Sequence, residues 1–222
     1  MKYFFILCGP SVLILLGLKY LASVPWTFVL FYSWLFFIPF FDLLISRRYS
    51  FSKTLERLGI SYEKRSVLWG FLSGIFSFLI ICGGLLWLHE YFFDINYLKG
   101  LLASWNFSGR YVLLLSLVLI FINPLLEEVY WRGYAWQELE LRSNAKITNL
   151  LTAFFYSLYH LISLNYIFIW PFNIMGVGFV FLAGVIWGCL RSYFNSLWGP
   201  IISHVLADLG IITIYLKFIG IG

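Results

Sequence analysis

The chain has 222 residues, of which 62% are hydrophobic and 11% charged, with a net charge of +5 when His is neutral. An ordinary soluble domain carries about 45–50% apolar and about 25% charged residues, and so little polar surface cannot cover a water-soluble globule. Intrinsic disorder is excluded with it, and lipid is the expected solvent. The basic residues do not gather on one soluble face. They sit between apolar runs, where they mark membrane topology, so no nucleic-acid partner is expected.

Apolar runs long enough for one helical crossing occur at about 3–20, 26–46, 67–88, 111–131, 147–164, 174–190 and 197–218. They predict an all-α fold, a polytopic transmembrane helical bundle of about seven (six to eight) helices, with residues 1–222 forming a single integral membrane domain. The first run follows Lys2 and ends in Tyr20-Leu21-Ala22-Ser23 without a clean small-x-small cleavage pair, so it reads as a retained span. Cys8, Cys82 and Cys189 lie inside apolar runs with no C-x-x-C spacing, which favours packing over a disulfide framework or a zinc ribbon. Trp26, Trp69, Tyr111 and Trp198 lie near run ends, as interfacial anchors do.

The firmest topological landmark lies between the second and third runs. Arg47, Arg48, Lys53, Arg57, Lys64 and Arg65 are opposed there only by Glu56 and Glu63, which makes the loop cytoplasmic. The N-terminus is then cytoplasmic, the 89–110 loop lies outside, the 137–146 loop returns inside, and the C-terminus is outside. Asn165–Asn173 reads as a simple apolar turn, with a re-entrant segment as its alternative. His89, beside Glu90 at a run end, reads as an ordinary interfacial residue.

Three runs carry ionisable residues with no topological use. The fourth ends Asn123-Pro124-Leu125-Leu126-Glu127-Glu128-Val129-Tyr130-Trp131-Arg132-Gly133, the fifth contains Tyr156-Ser157-Leu158-Tyr159-His160, and the seventh contains His204-Val205-Leu206-Ala207-Asp208. A charged side chain at the bilayer centre costs about 2.5–3.5 kcal/mol on insertion scales. Four of them, even at half that rate, rival a typical net stability of about 5–15 kcal/mol.

Helical spacing sorts these groups. Glu128 and Arg132 stand at i and i+4 with the acid first, the favourable order for an ion pair, and they read as a structural pair. Glu127 points elsewhere and lacks a local partner. Tyr156 with His160, and His204 with Asp208, each share a face. A lone intramembrane His usually bonds a neighbouring helix. Convergence of the three faces would instead enclose a free carboxylate, two imidazoles and a second carboxylate. That is the inventory of a hydrolytic water site, with or without metal.

The same three motifs, in this order and each in its own predicted span, resemble the CPBP family of membrane proteins. These are the CAAX proteases and bacteriocin-processing (Abi) proteins, which include the Ras-converting enzyme. The resemblance covers about residues 111–210, and Gly133 fits the common extension of the first motif. It implies a glutamate-dependent intramembrane endopeptidase hydrolysing a membrane-associated protein or peptide, without cofactor. Glu127 would be the water-activating base, His160 its partner on the same water, and His204 with Asp208 the pair stabilising the oxyanion. Glu128 and Arg132 would be supporting members. Tyr156 stands where the family commonly has Phe, and Asp208 where it has Asn or Asp. An ionised Asp accepts hydrogen bonds but does not donate them. Asp208 is therefore expected to orient His204, to be protonated or to help bind a metal.

Two alternatives remain open at this level. Glu127, His160, His204 and Asp208 could hold catalytic zinc, although no H-E-x-x-H motif is present. A non-catalytic membrane immunity or scaffold protein could also retain such motifs. A short chain without further domains leans towards a bacterial plasma membrane.

Overall fold

The computed structural model describes residues 2–220. Nine helices follow one another among these residues, with no strand: α1 (Lys2–Tyr20), α2 (Val24–Ser46), α3 (Phe51–Leu58), α4 (Lys64–Phe92), α5 (Ile95–Ser104), α6 (Val112–Glu140), α7 (Ala145–Ile167), α8 (Phe172–Phe194) and α9 (Trp198–Phe218). All but α3 and α5 are long and apolar enough to cross a membrane, which makes this an integral membrane protein with seven candidate spans among the described residues.

Local chemistry sets many of the boundaries. Ser23, Ser50, Asp94 and Asn144 each precede a helix and accept a hydrogen bond from the backbone N–H three residues on. Helix α3 ends at Gly59, whose φ of 82° is a left-handed value that glycine adopts without strain. Two of the expected loops contain helix. The 89–110 segment holds α5, and the basic 47–65 loop holds α3. Both are too short to stand out beside the spanning runs. The 165–173 segment is a tight connection between α7 and α8.

Helix α6 lies at the centre of the bundle. It touches α2, α3, α7, α8 and α9. Of its most apolar stretch 44% is buried inside the protein, against 17% for α4. The outer helices instead expose Phe, Leu and Trp side chains to the lipid, Phe37, Phe76 and Trp87 among them. The central helix is not regular. Wide i→i+5 turns at Val118–Ile122 and Val129–Ala135 flank an α-helical stretch, Asn123–Glu128. Pro124 has no N–H to give the ladder, and its ring crowds the carbonyl four residues back, a local cause for the first irregularity. Such insertions occur often at functional sites.

The α4–α9 seam is the most extensive helix contact. It is lined by small residues, as expected where lipid tails compete equally for apolar surface. A Cβ added at Gly70 would overlap the backbone of Gly199, and one at Gly74 would come within 2.9 Å of the Ser203 Cα. The Gly199 N–H donates to Ser66 Oγ at 3.0 Å across the seam. At one end of the bundle Lys2, Asp42, Arg47 and Glu138 form an ion-pair network that ties α1 and α2 to α6, and the Tyr134 hydroxyl donates to Asp42.

Two glycine substitutions on α4 should differ in sign. Gly70→Ala must push backbone away from backbone and is expected to destabilise by about 1–3 kcal/mol. Nothing lies within 4 Å of a Cβ at Gly83, so Gly83→Ala should be neutral or stabilising by up to about 1 kcal/mol. Thermal unfolding of the two variants in one detergent checks the difference.

Candidate active site

The Asn123–Glu128 stretch of α6 carries the first group of polar side chains. Glu127 and Glu128 are 2% and 0% exposed, and Arg132, one turn further on, is 0% exposed. Arg132 Nη1 donates to Glu128 Oε1 at 3.1 Å, and Nη2 donates to the Gly184 carbonyl at 2.9 Å. The guanidinium lies 4.7 Å from the ring centre of Tyr156 and 5.3 Å from that of Trp187. A charge buried this deeply is tolerated only where partners replace its water. Here a carboxylate, a carbonyl and two aromatic faces do so.

The expected Glu128–Arg132 pair is present, but it is not merely local. The same Glu128 Oε1 lies 3.0 Å from His204 Nδ1, on α9. A carboxylate paired with arginine accepts only, so His204 Nδ1 carries the proton and donates it. Glu128 thus holds the imidazole at Nδ1, a contact the sequence did not reveal, while Asp208 lies on the Nε2 side. The reason is reach. An i, i+4 reading exposes partners on one helix, and Glu128 is 76 residues from His204.

The other face of His204 gathers the remaining groups. Its Nε2 lies 3.7 Å from Glu127 Oε2, 3.6 Å from Asp208 Oδ1 and 3.5 Å from the Tyr156 hydroxyl. The ring stacks on Trp187 with centres 4.1 Å apart. The Trp187 indole donates to Ser203 Oγ at 2.9 Å, and the Ser73 hydroxyl donates to the same oxygen at 3.0 Å. The imidazole is thus fixed in rotation by Glu128 and in tilt by the indole.

His160, on α7, is half-buried between the rings of Tyr156 and Tyr159. Its Nδ1 donates to the Tyr156 carbonyl at 3.0 Å, which leaves Nε2 as the free nitrogen. Among the described residues no direct hydrogen bond or ion pair joins His160 to Glu127. Tyr159 lies beside Glu127. Neither Glu127 Oε2 nor the Tyr159 hydroxyl has a hydrogen-bond partner among the described residues.

The structure therefore brings Glu127, Glu128, Arg132, His204 and Asp208 into one cluster, with His160 at its edge. Three further residues join it that the sequence did not single out. Tyr159 borders the carboxylate, Trp187 stacks on the imidazole, and Asn123 Nδ2 donates to Asp208 Oδ2 at 3.0 Å. Asn123 stands four residues before Glu127, a same-face spacing visible in the sequence; Trp187 carried no such signal. Among the described residues no group of three or more His, Cys, Asp and Glu side chains is arranged to hold a metal ion.

Residues 109–210 match the family model of Rce1-like proteins, described as type II CAAX prenyl endopeptidase Rce1-like. The matched segment, a little under half of the chain, contains all three motifs and the ionisable residues of the cluster, and is consistent with the resemblance to the CPBP family. Neither curated proteins nor solved structures give a match.

Removing one member of the buried pair leaves the other charge without its partner, which typically costs about 3–5 kcal/mol. Arg132→Met should therefore lower the unfolding temperature clearly. The double change Arg132→Met with Glu128→Gln should recover part of the loss, because no ionised group then remains unpaired. Thermal unfolding of the two variants in detergent tests this.

Proposed function

We propose that the protein is an intramembrane endopeptidase in which Glu127 activates a water molecule to hydrolyse a peptide bond of a membrane-associated protein or peptide. The observation that carries this reading is that two neighbouring buried atoms, Glu127 Oε2 and the Tyr159 hydroxyl, lack a well-formed hydrogen bond among the described residues, with His204 Nε2 3.7 Å from the carboxylate. Buried polar atoms nearly always have partners. A spot bordered by a carboxylate oxygen and a hydroxyl suits a water molecule, which needs two to four polar neighbours.

In this reading the water gives a proton to Glu127 as its oxygen bonds to the scissile carbonyl carbon. The carbonyl π pair moves onto the carbonyl oxygen. His160 Nε2, free because Nδ1 is occupied, shares the same water. When the tetrahedral intermediate collapses, the C–N bond breaks and the protonated Glu127 returns its proton to the leaving amine. The products are a new carboxyl terminus and a new amino terminus. Glu128 and Arg132 act through His204, which together with Asp208 borders the side where negative oxygen forms.

None of these steps draws on a metal ion, and we propose that none is needed. We take a prenylated CAAX peptide as the first substrate to try, because the matched family is described as CAAX prenyl endopeptidase. We also propose a bacterial plasma membrane as the location, with the N-terminus placed in the cytoplasm by the basic 47–65 loop.

Glu127→Gln keeps the shape of the side chain and removes the base. It is expected to lower cleavage at least 10³-fold by purified protein in detergent, with insertion and unfolding temperature close to the parent's. Retention of more than a tenth of the parental rate sinks the reading. Parental cleavage should also survive a zinc chelator; loss reversed by added zinc moves the site to a zinc protease using Glu127, His160, His204 and Asp208.

A further inference from the structure

The negative oxygen formed by attack on a carbonyl needs hydrogen-bond donors, and those aimed at it are a large part of catalysis. The obvious candidates here are poor donors as the structure holds them. Glu128 accepts the Nδ1 proton of His204, and Nε2 faces the carboxylates of Glu127 and Asp208, which compete for any proton it carries. Asp208, when ionised, has no proton to give. The Tyr156 hydroxyl points to His204 Nε2, and the Tyr159 hydroxyl lies beside Glu127.

Asn123 differs from all of these. It is 8% exposed, stands one turn before Glu127 on the same face of α6, and gives one amide N–H to Asp208 Oδ2 at 3.0 Å. A primary amide has two such hydrogens. The second has no hydrogen-bond partner among the described residues.

We propose that Asn123 donates this second N–H to the oxyanion, while Asp208 holds the amide in place from α9. The inference rests on the endopeptidase reading. As the water oxygen bonds to carbon, the carbonyl π pair becomes a lone pair that accepts the Asn123 hydrogen. No covalent bond of Asn123 changes. On collapse the pair returns, the C–N bond breaks, and Glu127 protonates the amine. Asp208 thus contributes as an acceptor, the one hydrogen-bonding role an ionised carboxylate has.

The test compares newly formed peptide termini in membranes of cells producing the parent, Glu127→Gln, Asn123→Ala, Asn123→Asp, or the exchange Asn123→Asp with Asp208→Asn. Peptides spanning the parent-dependent cuts then serve as substrates for the purified proteins. Asn123→Ala and Asn123→Asp should lower kcat about 10²-fold or more, with KM within threefold, as loss of one oxyanion donor does. The exchange variant again sets an amide against a carboxylate across α6 and α9, and should be at least tenfold faster than Asn123→Asp alone. A folded Asn123→Ala protein with kcat within threefold of the parent overturns the inference and leaves the glutamate reading standing. So does an exchange variant no faster than Asn123→Asp. Identical termini from parent and Glu127→Gln cells overturn the endopeptidase reading and the inference with it.

Discussion

Glu128 Oε1 receives two hydrogens inside the bundle, one from Arg132 on its own helix and one from His204 on α9. Much else depends on that shared oxygen. An arginine buried at 0% exposure needs a counter-charge, and a buried imidazole needs a fixed tautomer. One carboxylate meets both needs, so α6 and α9 cannot separate without leaving two polar groups bare. The Glu127 side of His204 inherits its geometry from this contact. Replacing a buried ion pair with well-packed apolar residues is often neutral for a fold, but here it would free the imidazole to turn.

The arrangement divides labour between adjacent residues. Neighbours on a helix lie about 100° apart, so Glu127 and Glu128 face different partners although both are buried. Glu128 gives one oxygen, Oε1, to both Arg132 and His204, while its Oε2 has no hydrogen-bond partner among the described residues. Glu127 Oε2 likewise has no hydrogen-bond partner among the described residues, but it faces His204 Nε2 and the open side of the cluster. Water-excluded surroundings and an unfilled acceptor suit the water-activating role we propose for Glu127.

The sequence carried the spans and the members of the cluster plainly. Long apolar runs are hard to misread, and a Glu, His or Asp inside one is conspicuous because its insertion cost demands a reason. The partners were harder to read. Spacing along one helix reveals Glu128 with Arg132, yet the contact that orients His204 crosses to another helix and leaves no periodic trace. Trp187 looks like any lipid-belt aromatic until its ring is found flat against His204. Asn123, preceding Pro124, passes for a helix irregularity until Asp208 is seen opposite. The helices α3 and α5 were missed for a simpler reason: eight- and ten-residue segments are too short to stand out beside the spanning runs.

The glycine-lined seam between α4 and α9 has a bearing on how an intact preparation is recognised. With backbone set nearly against backbone at Gly70 and Gly199, that crossing contains little soft enough to absorb a shift. A harsh detergent that wedges the two rods apart would swing His204 off its neighbours while every helix kept its internal ladder. Far-ultraviolet dichroism would report such a sample as native. The stacked indole of Trp187, whose emission senses the ring beside it, is the better witness to an assembled centre.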